Sequence, residues 1–172
     1  DWRISLAGVA EDGPFSVFDG FVRSLVLIEG TGLSIDHGSD GGRTELSWPV
    51  PHAFDGGWNT SARLVDGPVR DLGVIARKDR WTIELMAIDL ASAGARLHLD
   101  AIDHGLLHVL SGTVAVGPAG GRPAAQRIEL AQRLEPGESL WYRPATEALE
   151  LDVYAAGGIA RAVFARLMPH AV

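Results

Sequence analysis

Apolar residues along this chain fall in short runs separated by polar, glycine-bearing stretches. The runs Arg23 to Ile28, Trp81 to Ile88, Leu106 to Val116 and Ile159 to Leu167 are rich in branched and aromatic residues. Around them sit Gly30-Thr31-Gly32, Gly41-Gly42, Gly56-Gly57, Gly117 to Gly121 and Gly157-Gly158. Strand-like segments with turn residues between them predict a sandwich or barrel. One stretch, Ile128 to Leu134, is compatible with a helix, but Pro136-Gly137 ends it at a marginal length and it is read as strand.

The pattern also repeats. Ser24 to Ile35 parallels Leu106 to Val116: each reads as strand, tight turn, strand, with Gly30 and Gly112 following the apolar run. In both, the glycine stands where a hairpin needs a positive φ or a close backbone approach. Leu134-Glu135-Pro136-Gly137 then reads as a turn into a return strand over Ser139 to Tyr142, and Ala148 to Tyr154 closes the half. The simplest account is one all-β domain of two related halves, spanning about 1–90 and about 91–172.

Composition narrows the partners. A chain of 172 residues can bury about 70% of its unfolded surface in one core or two fused half-cores. No apolar run approaches the ~20 residues that span a bilayer, so no membrane is expected. The net charge of −7 repels phosphate backbones, so nucleic acid is not an expected partner either. With no cysteine, disulfides, thiolate zinc sites and cysteine nucleophiles are excluded. The opening Asp1-Trp2-Arg3-Ile4 carries no signal peptide, which makes a cytoplasmic location the expectation.

The two hairpins and the Pro-Gly segment resemble the cupin fold, a small β-barrel whose pocket often holds a metal. The first half carries a more specific likeness. Trp2-Arg3-Ile4-Ser5, then Asp12-Gly13-Pro14-Phe15-Ser16 with Phe18, Gly20 and Arg23, then Leu27-Ile28-Glu29-Gly30 with Gly32-Leu33, resembles the opening of the HutD/Ves family. The likeness continues through Pro51, Phe54-Asp55-Gly56 and Gly67 to Lys78, and weakens beyond Trp81. Three departures stand out. Asp19 replaces a proline of the family pattern, Val22 replaces an aspartate, and Asp71-Leu72-Gly73-Val74-Ile75 stands where the family has Asp-Phe-Asn-x-Met. The lost asparagine is a polar group whose absence implies a different or weaker ligand. The resemblance implies a bicupin, two cupin-like β-barrel halves fused in one compact domain. It also implies a small-molecule binding or regulatory role around histidine utilisation, with urocanate or a formylated or formiminated glutamate as the ligand type.

Cupin metal sites use His-x-His, a downstream glutamate and a later histidine. Aligned on Gly112, His98-Leu99-Asp100 stands in for the pair, but the glutamate position falls on Gly105 and the late histidine near Glu147. His104 and His108 would share a strand face about 13 Å apart, too far for one ion. His37 and His52 fall in Gly/Pro-rich loops. No metal or other cofactor is therefore expected. Ser111-Gly112 sits in a hairpin instead of a nucleophile elbow, and Gly117 to Gly121 lacks the lysine and helix of a phosphate loop.

Arg23 is the residue with the sharpest question attached, because a guanidinium at the start of a buried strand must find a carboxylate or line a polar cavity. Two roles compete: an internal ion pair with Glu29 or Asp71, or a carboxylate clamp in a pocket walled by Phe15 and Phe18. Asp71 and Arg77, six apart, share a strand face and join the candidate ligand groups, while Lys78-Asp79-Arg80 reads as a solvated turn. Trp48 and Trp58 are candidates for a pocket lid. The favoured reading is a non-catalytic binder of a small carboxylate through Phe15, Phe18, Arg23, Asp71 and Arg77, with a homodimer allowed. Two alternatives stay open: a metal-dependent cupin isomerase or dioxygenase using His98, Asp100 and His108, and an interaction module with a vestigial pocket.

Overall fold

The computed structural model describes residues 1–91, 94–119 and 132–171. Among these residues every regular element is a strand, and there are sixteen. The first eight are β1 (Trp2–Val9), β2 (Gly13–Pro14), β3 (Phe21–Glu29), β4 (Leu33–Asp36), β5 (Arg43–Leu46), β6 (His52–Asp55), β7 (Ser61–Leu64) and β8 (Val69–Arg77). The second eight are β9 (Trp81–Leu90), β10 (Ala95–Leu99), β11 (His104–Ser111), β12 (Val114–Pro118), β13 (Gln132–Leu134), β14 (Ser139–Tyr142), β15 (Leu149–Ala155) and β16 (Ala160–Pro169). The all-β expectation holds. Of the stretch read as strand over Ile128 to Leu134, Gln132–Leu134 is strand, while 128–131 lie outside the described residues, as do Gly120 and Gly121.

Strand pairing shows the repeat in full. The first eight strands form antiparallel sheets of order β1-β8-β3-β6 and β2-β7-β4-β5. The second eight form β9-β16-β11-β14 and β10-β15-β12-β13, the same two orders advanced by eight strands. By compactness the chain divides near Met86: Asp1–Met86 with the residues from Pro169 on form one unit, and 87–168 form the other.

The hairpin glycines mark the same corner in each unit. The β3·β8 register shifts between Leu27 and Glu29, and the β11·β16 register between Val109 and Ser111. One residue beyond each shift comes Gly30 (φ +95°) or Gly112 (φ +67°). A bulge followed by a left-handed glycine turns the strand sharply out of one sheet and into the other. A Cβ on Gly30 would lie 2.7 Å from Val69 Cγ1 and 2.8 Å from the Pro68 carbonyl oxygen, and one on Gly112 would collide with the Ile159 carbonyl oxygen.

In the N-terminal unit the two sheets enclose Leu25, Leu27, Leu33, Ile35, Leu46, Phe54, Ala62 and Val69. In the second unit apolar side chains crowd Gly105, where a Cβ would lie 2.9 Å from Leu99 and 3.3 Å from Phe164. The position aligned with a cupin metal-binding glutamate is thus filled by apolar side chains.

Gly112→Ala is expected to lower unfolding stability by about 2 kcal/mol or more, from the left-handed φ and the backbone collision together. Urea denaturation measures this, and a loss below about 0.5 kcal/mol would show that the corner tolerates a side chain.

Candidate functional site

A cavity of about 380 Å³ opens in the N-terminal unit, lined by one face of β1, β8 and β3 and by the segment from Val9 to Phe18. Strand register decides which residues face it. Arg3, Ile75, Arg23 and Phe54 lie opposite one another across β1, β8, β3 and β6. The next row on that face is Ser5, Gly73, Leu25 and His52, and beyond it come Ala7, Asp71 and Leu27. Side chains two apart on a strand share a face, so two guanidiniums and one carboxylate converge on the same space.

Arg23 is half-buried and stacked among aromatic rings. Its guanidinium carbon lies 4.9 Å from the Phe15 ring centre, 5.2 Å from that of Phe54 and 5.5 Å from that of Phe18. Its Nη1 donates to the Ser16 carbonyl oxygen at 3.1 Å. The Arg3 guanidinium carbon lies 5.7 Å from the centre of the Phe18 ring. The rings are placed by backbone bonds. The Phe15 amide donates to the Thr60 carbonyl at 2.8 Å, and the Phe18 amide to that of Gly56 at 2.7 Å. Gly56 permits this approach, since a Cβ there would come within 2.8 Å of the Phe18 carbonyl oxygen.

Of the two carboxylates proposed as internal partners for Arg23, Glu29 is bound to Arg70 at 2.6 Å. Asp71 is 6% exposed, and among the described residues no hydrogen bond or ion pair reaches its side chain. Gly73 leaves it room: a Cβ there would sit 3.1 Å from Asp71 Oδ1. Burial pushes the Asp71 carboxyl up to about 6, with the positive charge of Arg23 pulling the other way. Burial likewise lowers the pKa of Arg23, opposed by Asp71 and reinforced by Arg3. Phe15, Phe18, Arg23 and Asp71 thus line one cavity, joined by Arg3, which the sequence reading passed over.

Arg77 is not brought to it. Shared parity puts Arg77 on the Asp71 side of β8, but six residues is about 20 Å of strand, and its side chain pairs with Asp79 at 2.7 Å on the surface. Trp58 is no lid: it packs against the core and lies 5.2 Å from the His37 ring. Neither Trp58 nor Trp48 lines the cavity.

The histidines also depart from expectation. His37 lies in the loop after β4 as expected but is buried at 1% exposure, and His52 opens strand β6 instead of lying in a loop. Their Nε2 atoms lie 2.8 Å apart, and His37 Nδ1 lies 2.9 Å from Thr60 Oγ1. With the Thr60 hydroxyl donating to the Trp58 carbonyl at 3.4 Å, His37 Nδ1–H donates to Thr60 and His52 Nε2–H donates to His37. Phe54 joins this pair to Arg23, with its ring centre 4.7 Å from that of His37 and 5.2 Å from the Arg23 guanidinium carbon. Burial holds both histidines below their ordinary value, and for His37 the neighbouring His52 adds to it. Cross-strand contacts of this kind carry no spacing signal in a sequence.

In the second unit His98 is exposed and sits between Glu150 at 2.6 Å and Asp100 at 3.2 Å. His108 is buried and bonded to Ser139 at 2.8 Å, on the face of β11 opposite Leu107 and Val109. Among the described residues no three His, Cys, Asp or Glu side chains are grouped so as to hold a metal ion.

Comparison with known proteins follows the same lines. A HutD family model matches residues 1–160. An uncharacterised 21.2 kDa protein in the hutC 3′ region of Pseudomonas putida is 32% identical over 141 residues, covering 81% of this chain and 70% of that one. Protein Ves of Citrobacter koseri is 29% identical over 119 residues, 67% of this chain and 58% of its own length. Among solved structures, a conserved protein of unknown function from Pseudomonas aeruginosa PAO1 superposes with TM-score 0.82 at 24% identity, over 99% of this chain and 84% of that one. HutD from Pseudomonas fluorescens SBW25 gives 0.76 at 25% identity, over 99% and 80%. A cupin 2 barrel protein from Leptotrichia buccalis, at 0.53 and 15% identity over 95% and 82%, shares the fold alone.

Two stability predictions follow from the buried groups. Asp71 binds its proton more tightly folded than unfolded, so its ionisation destabilises the fold progressively from pH 3.8 to about 6 and fully above that. At ~1.4 kcal/mol per pH unit the cost reaches about 3 kcal/mol. Asp71→Asn is therefore expected to raise the melting temperature at pH 7 and not at pH 4; an equal gain at both would refute the assignment. The histidine pair has the opposite sign, because its folded pKa values are depressed: its stability is present above the unfolded value of 6.5 and is lost as pH falls below it. In the Asp71→Asn background, unfolding stability is expected to drop between about pH 6.5 and pH 5, and to drop less when His52 is replaced by the non-titrating Gln. An unchanged slope in His52→Gln would count against the pair.

Proposed function

The chain belongs to the HutD family, and from its cavity we propose that it is a non-catalytic binding or regulatory protein for a small carboxylate. The observation that carries this reading is the setting of Arg23. A desolvated guanidinium held by three rings and one carbonyl keeps its charge for an incoming anion, and a planar fork of N–H donors suits a carboxylate. Arg3 adds a second positive charge, and the rings of Phe15 and Phe18 enclose a carbon skeleton. The volume suits a ligand of roughly a dozen heavy atoms, at the ~30 Å³ a water molecule takes in the liquid. Among the described residues the lining offers the hydroxyls of Ser5 and Ser16 but no histidine, cysteine or lysine to activate them. A link to histidine utilisation belongs to this proposal too, supported by the family and by the hutC-region name of the Pseudomonas putida relative.

A thermal-shift screen of histidine-pathway carboxylates tests the reading. At least one at millimolar concentration is expected to raise the melting temperature, and no shift with any of them would overturn it. Arg23→Met, which keeps an apolar stem against the rings, is expected to weaken that ligand roughly ten- to a hundredfold, the worth of a charge-assisted hydrogen bond.

A further inference from the structure

We infer that the cavity takes up a proton together with its carboxylate ligand, and that Asp71 is the group that receives it. This rests on the carboxylate-binding reading above and adds a linkage to it. Asp71 is a buried side chain with no hydrogen bond or ion pair among the described residues, and it lines the cavity. A permanently ionised carboxylate in that position would be expected to recruit a donor, since leaving it bare is costly.

The charges around it define what a ligand does to it. β1 presents Arg3, with Ser5 and Ala7 neutral; β3 presents Arg23; the segment before β2 presents Glu11; β7 contributes only Ala62. Glu29, at the far end of β3, is spent on Arg70. Arg23 is the influence that favours the ionised form of Asp71, and burial is the one that opposes it. A ligand carboxylate seated on Arg23 cancels the first and, by expelling water, strengthens the second. Both changes move in one direction. Asp71 then takes a proton from solvent and holds it as a neutral carboxylic acid, which offers an O–H donor to the anionic ligand. No covalent bond of the ligand changes, and one proton enters with each carboxylate.

Butyrate serves as a probe with one carboxylate and no N–H or O–H donor. Calorimetry at pH 7, in carboxylate-free buffers of different ionisation enthalpy, is expected to show uptake approaching one proton per butyrate. Affinity is expected to fall by up to about tenfold per pH unit above pH 6. Asp71→Asn is expected to bind butyrate with neither proton uptake nor that pH slope, which separates Asp71 from the histidine pair. Butyrate bound by the wild type without proton exchange would overturn the linkage and leave the carboxylate reading standing. Affinity that rises with pH would also overturn it. No butyrate binding at all would overturn both.

Discussion

A guanidinium that no carboxylate among the described residues meets by hydrogen bond or ion pair organises the N-terminal unit. Arg23 is desolvated against Phe15, Phe18 and Phe54, and the second guanidinium of Arg3 shares the Phe18 ring with it. Burying Asp71 and setting the Arg3 and Arg23 guanidiniums beside each other both work against stability, and the attraction between Arg23 and Asp71 offsets this only in part. An apolar residue at position 23 would pack against the same rings without that cost. Sites that store such a cost are where function is usually found, and the surrounding backbone is arranged to hold this one: Gly56 admits Phe18, the Thr60 carbonyl fixes Phe15, and the β3·β6 register sets Phe54 opposite Arg23.

The two units make the contrast plain. Eight strands in one order, with the same bulge and left-handed glycine at the same corner, occur twice. The N-terminal copy carries the charged cavity, and in the second Leu99 and Phe164 crowd the space beside Gly105. The scaffold is common to both, and the chemistry depends on a handful of inward positions.

The all-β fold and its repeat were legible because turns are written locally: Gly30 and Gly112 follow their apolar runs at matching points, and a positive φ leaves glycine as nearly the sole choice. The site was legible only where it is local. Phe15, Phe18 and Arg23 lie within nine residues of one another, so their convergence needs little knowledge of pairing. Arg3 reaches the cavity through register with β8, Phe54 reaches Arg23 through register with β3, and the His37–His52 pair joins the turn after β4 to strand β6; none of these is encoded in spacing. Arg77 shows the converse error. Alternation reports which side of a strand a residue faces and says nothing about where along it the cavity ends.

A carboxylate ligand seated in this cavity would meet the Arg23 guanidinium first. The Arg23 side-chain N–H resonances report this directly in a ¹⁵N NMR titration of the wild-type protein with a small carboxylate. A saturable shift confined to the Arg23 and Arg3 guanidiniums, absent when the corresponding primary amide is titrated, is the predicted result. Binding that leaves both guanidinium resonances unmoved, or an equal response to the amide, would contradict it.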